Sequence, residues 1–325
     1  MSLAPAGRLR PHSLRDRLVD RLFRGATGAA AFGVVSLVVG IAVLLGQGAL
    51  PSIRHFGVGF LFGTAWNPVT GRFAAWPFIL GTLVTSGIAL LIGVPVSVGI
   101  AIFLSEEAPG WIQTPLAALV ELLAAVPSVV YGLWGFFVLA PTMRDQIQPA
   151  LHSSIGQVPV IGLAFSGQST GSDLLTAGVI LAIMIIPTVS AIARESLAAV
   201  PRSQREAALA LGATRWETTR HAVLPFASSA IIGAAILGLG RALGETMAVT
   251  MTIGNQDQLP TSLFSGGGTI TSLLANEFTS AGSANAFEPP ALFEVALILL
   301  AITLSVNVVA RILVRRMFRG GEGSA

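Results

Sequence analysis

Long charge-free apolar runs, separated by short polar stretches, set the rhythm of this chain. The pairs Arg24 and Arg54, Arg72 and Glu106, Asp173 and Arg194, and Glu294 and Arg311 each bracket a stretch without a charged side chain. About 20 apolar residues suffice to cross a bilayer as a helix, which satisfies its backbone hydrogen bonds within one segment. Residues 120–140 and 225–253 add two more runs, so the pattern predicts six spans. They fall at about 28–46, 76–104, 116–139, 174–193, 225–253 and 291–314. Pro127 is expected to kink the third span, because proline lacks the amide proton of a helical bond and crowds the preceding turn. Pro187 lies within the fourth. The stretches 51–73, 140–172 and 260–290 read as loops on one side, and Phe56, Phe60, Phe62 and Trp66 suit a membrane interface.

Composition agrees with this pattern. Hydrophobic residues make up 53% of the 325 and charged ones 11%, against about a quarter charged in a soluble domain. All 19 basic residues are arginine. Without lysine the chain has no ordinary P-loop, so any ATP-driven work needs an ATPase on another subunit. It also has no cysteine, and its four histidines lack ligand spacing, so no metal or cofactor is expected in this chain. No nucleophile elbow or acid–base constellation suggests an enzyme.

The arginines are unevenly placed. Six precede the first span, five lie between 194 and 220, and four follow the last span, while the opposite side has Arg54, Arg72 and Arg144. This bias puts both termini and the 194–225 loop in the cytoplasm and argues against nucleic acid as a partner. It divides the chain into a cytoplasmic segment 1–25, a membrane domain 26–318 and a cytoplasmic tail 319–325. The segment before the first span reads as polar and little ordered, and the first apolar run as a retained span. A basic tail facing anionic membrane lipid is a secondary expectation.

The loop "REAALALGATRWETTRHAVLP", 205–225, reads as helix–turn–helix. Ala, Leu, Glu and Arg favour helix up to Gly212, which tolerates the left-handed conformation of a helix C-terminus. A second helix starts near Thr214, and Pro225 then opens the fifth span. Ala207, Ala208 and Ala210 leave room for another protein's surface, although a solvated connector would look similar.

Arg241 and Glu245, in "RALGET", stand in the apolar fifth span. Arg241 follows Pro225 by 16 residues, about 24 Å of helix, too deep to snorkel easily to the cytoplasmic face. Glu245, at i+4, shares its face if the helix continues. A charge at the bilayer centre costs at least about 2.5–3.5 kcal/mol, so such groups pair or line a wet cavity. Two readings follow: a structural ion pair, or an anion-binding arginine oriented by the glutamate. The planar guanidinium suits an oxyanion, and a carboxylate can accept the proton of phosphate, which sulfate lacks. Ser128 and Tyr131, after Pro127, are further pathway candidates, with helix anchoring the alternative for Tyr131. Glu121 suits a structural hydrogen bond, and Glu294 the outside interface.

The order Glu206-Ala207-Ala208, Gly212, Leu224-Pro225 resembles the EAA loop of ABC importer permeases. With "ELLAAVPSVVYGLWGFFVLAP", "TAGVILAIMIIPTVSAIARE", "ILGLGRALGETMAVTMTIGN" and "ITSLLANEF", the chain resembles the PstC-type permeases of bacterial phosphate-specific importers. One position departs: Ala222 stands where that loop usually has isoleucine, beside Val223. The resemblance implies an all-α, six-span type I permease in the bacterial inner membrane, with a coupling helix. Arg205, Glu206, Ala207, Ala208, Gly212 and Ala213 would form its docking region. It further implies a sister permease as heterodimer, an ATPase dimer carrying ATP and Mg, a phosphate-binding protein, and phosphate passing Arg241 and Glu245. Another oxyanion (molybdate, sulfate, phosphonate), or a phosphate-sensing scaffold with a structural Arg241–Glu245 pair, stays open on the residues alone.

Overall fold

A computed structural model describes residues 14–159 and 161–319, and within these every extended element is helical; pairing of the β type is limited to three isolated bridges. Arg8, Arg10 and the tail beyond Arg319 lie outside the described residues. Besides two single-turn helices, Gly59–Phe62 and Ile161–Ala164, the helices are α1 (Leu14–Phe56), α2 (Trp76–Glu107), α3 (Gly110–Ala124), α4 (Ser128–Ser154), α5 (Leu174–Ala198), α6 (Arg202–Ala210), α7 (Arg215–Gly244), α8 (Met247–Thr252), α9 (Ile270–Glu277) and α10 (Glu288–Arg319). Five have the length and apolarity to cross a membrane, and α3 with α4 makes a sixth, broken span.

Several boundaries differ from expectation, each for a local reason. Helix α1 begins at Leu14, well before the apolar run, and continues past Pro51. The third span breaks where only a kink was expected: Pro127 is extended (φ −59°, ψ 141°), and the axes of α3 and α4 differ by 91°. Helix α4 then runs to Ser154, through much of what reads as a loop. The loop after the fifth span contains α9, whose first turn is buried behind a Thr269–Ser272 capping box. The aromatics after α1 are not an interfacial belt. Phe60, Trp66, Phe73 and Phe78 are buried against one another, with Trp66 to Phe73 ring centroids 4.9 Å apart, while Phe62 is exposed.

Proline also explains three of four wide turns. The π-helical segments Phe103–Glu107, Gly135–Leu139, Met143–Ile147 and Thr219–Val223 each end two residues before a proline: Pro109, Pro141, Pro149 and Pro225. Proline has no N–H to donate, and inside a helix its ring collides with the carbonyl four residues back; shifting that turn to i→i+5 bonds relieves both at Pro141, Pro149 and Pro225. At Pro109 the helix has already ended, with Ala108 extended (φ −67°, ψ 129°). Pro225 therefore does not start a new helix. Helix α7 runs unbroken from Arg215, about 45 Å at 1.5 Å per residue.

Helix α5 is the hub, buried on almost every side against α2, α4, α7 and α8. Without water, helices associate by close van der Waals approach, which small residues permit. A Cβ added at Gly178 would lie 2.6 Å from Ile88, at Gly93 2.8 Å from Ile185, and at Gly238 2.8 Å from Val189. These contacts fix α2 and α7 on α5. Helix α1 instead leaves its most apolar window wholly unburied and packs near its end on α10, with the Phe293 ring against Gly48.

Candidate pathway and coupling sites

Helix α7 stops at Gly244, and this break reshapes the expected charge pair. Glu245 is extended (φ −71°, ψ 126°), so it leaves the face that Arg241 occupies three residues before the end. Two contacts hold the break open. Thr271 of α9 donates to the Glu245 main-chain carbonyl at 2.7 Å, and the Ala248 amide donates to the Glu245 carboxylate at 3.2 Å. Gly244, a poor helix former, offers little resistance. Among the described residues, neither Arg241 nor Glu245 belongs to an ion pair. The expectation that Glu245 orients Arg241 is thus corrected, and so is the structural-latch alternative in that form.

Arg241 is held by α5 instead: Nη1 donates to Thr188 Oγ1 at 2.9 Å. The guanidinium is half-buried in the last turn of α7, where a cation also complements the C-terminal end of the helix dipole. That bond uses one of its five N–H donors. Discontinuous helices at membrane depth are tolerated where they line a cavity, and transporters place ion and substrate sites at them.

The other candidates lie at the second break. Ser128 begins α4 and is half-buried. Tyr131 is buried within electrostatic range of Arg241, but its hydroxyl donates to the Leu123 carbonyl at 2.8 Å. That carbonyl belongs to the last turn of α3, so Tyr131 ties the two halves of the broken span together. Close packing of α4 on α8, with Gly132 against Ala248 and Met251, brings the two breaks near each other. Glu121 accepts from Arg194 at 2.9 Å, in keeping with a structural bond. Glu294, expected at an interface, is buried beside α1.

The helix–turn–helix expected over 205–225 is present, except that its second helix runs on through Pro225. Helix α6 ends in a Schellman motif: Gly212 has φ +87°, its amide donates to Leu209, and the Ala213 amide donates back to Ala208. Thr214 and Glu217 form a reciprocal capping box opening α7. Glu206, Ala207 and Gly212 are exposed, and Ala208 and Ala213 partly so. Arg205 is different: it is turned inward, bonded bidentately to Glu106 of α2. Val223 is fully buried with Ala101, Ala193, Leu197, Val200 and Ala227, so it supplies the packing that Ala222 lacks. Sequence reasoning missed Thr188, which has no charge to mark it, and Glu106, noted only as the end of a charge-free run.

These features define a multi-span helical membrane protein with an exposed helix–turn–helix between two of its spans. Residues 93–319 match the family described as binding-protein-dependent transport system inner membrane component, and the chain belongs to that family. It is 45% identical over 299 residues to the phosphate transport system permease protein PstC of Haemophilus influenzae, covering 92% of this chain and 94% of that one. The protein of that name from Mesorhizobium japonicum is 43% identical over 303 residues, 93% and 92% of the two chains. A chain of a bacterial ABC transporter involved in import of the acidic polysaccharide alginate shares the fold, with TM-score 0.56 at 18% identity over 93% of this chain and 99% of that one. The fold is that of type I ABC importer permeases, and the protein is an inner-membrane component.

Proposed function

We propose that the chain is the permease subunit of an ATP-driven importer of inorganic phosphate, forming half of the translocation pathway beside a sister permease. One observation carries the reading: the Arg241 guanidinium, in the last turn before an apolar span breaks, is held by a single hydroxyl, and its other donors make no hydrogen bond among the described residues. The names of the relatives supply the choice of phosphate. Arg241 receives the oxyanion through forked N–H donors, and Thr188 fixes their direction. Glu245 has one carboxylate oxygen on the Ala248 amide, and the second can accept the proton that phosphate carries and sulfate does not.

In this reading the chain holds no cofactor and performs no catalysis. ATP and Mg sit on a separate ATPase dimer, which docks on the exposed face of α6 at Glu206, Ala207, Ala208, Gly212 and Ala213. A phosphate-binding protein delivers solute to the opposite face, and both termini are cytoplasmic, as the arginine asymmetry requires. ATP-driven closure pushes α6 and reorients the spans around Arg241.

Uptake of labelled phosphate by the assembled complex, in competition with sulfate and molybdate, tests the proposal. Phosphate alone should compete in tenfold excess, which is about 1.4 kcal/mol of selectivity or more, and Glu245→Gln should narrow that gap. Equal competition by either other anion would reassign the substrate.

A further inference from the structure

Arg205 occupies the centre of the junction between the coupling helix and the membrane spans. Its Nη2 donates to Glu106 Oε1 at 2.8 Å and its Nε to Oε2 at 3.2 Å, a fork matched to the carboxylate. Nη2 also donates to the Leu197 carbonyl, and Nη1 to that of Val200. Four of the five donors are thus engaged, with the side chains of Arg205 and Glu106 only 22% and 12% exposed. The four acceptors are the two carboxylate oxygens of Glu106 in the last turn of α2, the Leu197 carbonyl in the last turn of α5 and the Val200 carbonyl in the short link from α5 to α6. Beneath this polar knot, Ala101 of α2, Ala193 and Leu197 of α5, and Val223 and Ala227 of α7 pack into one apolar cluster.

We propose that Glu106 is a positioning residue for ATPase coupling: through Arg205 it makes α6, α2 and α5 move as one body. The inference rests on the coupling role proposed for α6. A surface ion pair would add little, but a bidentate, mostly buried pair with two further carbonyl contacts resists shear between the joined elements. The same α5 carries Thr188 nine residues before Leu197, about 13.5 Å along the helix, and Thr188 holds Arg241. A displacement of α6 therefore reaches the candidate anion site through one rigid helix.

The test uses the complete permease–ATPase complex in proteoliposomes with its binding protein, comparing wild type, Glu106→Gln, Arg205→Gln and the double variant. Glu106→Gln should assemble and hydrolyse ATP while phosphate taken up per ATP falls about tenfold. The double variant should be no worse than Arg205→Gln alone. Unchanged uptake per ATP in Glu106→Gln, or additive losses in the double variant, would overturn the proposal. Wild-type phosphate uptake in the same assay tests the transport reading separately. A second measurement does not depend on disturbing the pair. The chain has no cysteine, so spin labels at Gln204→Cys on α6 and Leu91→Cys on α2 report their separation cleanly. It should stay constant to within about 2 Å between resting and ATP-trapped states, and a larger change would refute rigid coupling even if Glu106→Gln failed to assemble.

Discussion

Replacing Thr188 by valine removes one oxygen and little else. In the folded chain that oxygen accepts a 2.9 Å bond from the Arg241 guanidinium, and no other hydrogen bond from Arg241 is formed among the described residues. A hydrogen bond to a charged group contributes about 1.5–3 kcal/mol. Arg241 is half-buried, so water replaces part of the loss and the lower end of that range applies. Each 1.36 kcal/mol corresponds to about tenfold in rate. Thr188→Val should therefore lower phosphate uptake by the reconstituted complex about tenfold, with the subunits still co-purifying. Thr188→Ser keeps the hydroxyl and should stay within about twofold of wild type, about 0.4 kcal/mol. Normal uptake in the valine variant would show that the bond does not set the guanidinium's position. A loss in the serine variant as large as in the valine variant would show that the hydroxyl alone does not account for the effect, and the reasoning would fail.

Three other substitutions probe separate parts of the account. Gly212 has φ +87° with open space around its Cβ position, so Gly212→Val meets backbone strain alone; it should cost about 1–2 kcal/mol locally and weaken ATPase co-purification more than it lowers the melting temperature. At Gly81 a Cβ would collide with the Gly268 carbonyl, so Gly81→Ala should destabilise the fold by about 1–3 kcal/mol, read as a lower thermal midpoint in detergent. Burial raises the Glu277 pKa from its ordinary value, with the charges of Asp257 and Glu288 adding to the shift. The native state then holds the proton more tightly than the unfolded state, so stability falls as pH rises from the unfolded value toward the folded one. Glu277→Gln should raise the melting temperature at pH 8 and lose that advantage below about pH 4; the same gain at both pH values would remove ionisation as the cause.

What was legible in the sequence was local. Six spans followed from charge-free runs, and the turn of the coupling loop from Gly212 and Thr214, whose bonds reach only to Ala208 and Glu217. The breaks were less visible. Pro127 announced a bend but not 91°, because the angle goes with how α3 and α4 each pack on α5, which lies about 50 residues further on. At Glu245 the decisive donor, Thr271, lies 26 residues further on, and no helical pattern contains it. Arg205 and Glu106 are 99 residues apart, so their pairing appears only once α2 and α6 meet. The Arg241–Glu245 pair failed for a related reason: i+4 spacing places two charges together only while the helix continues.

The central claim is that Arg241 conducts the transported anion, and uptake by an Arg241→Gln complex tests it most directly. Beside a wild-type control, labelled phosphate uptake should fall at least about tenfold, the scale of one lost charge-assisted contact, while the subunits stay assembled and ATP is still hydrolysed. Uptake at the wild-type rate with a neutral side chain at that position would contradict the account.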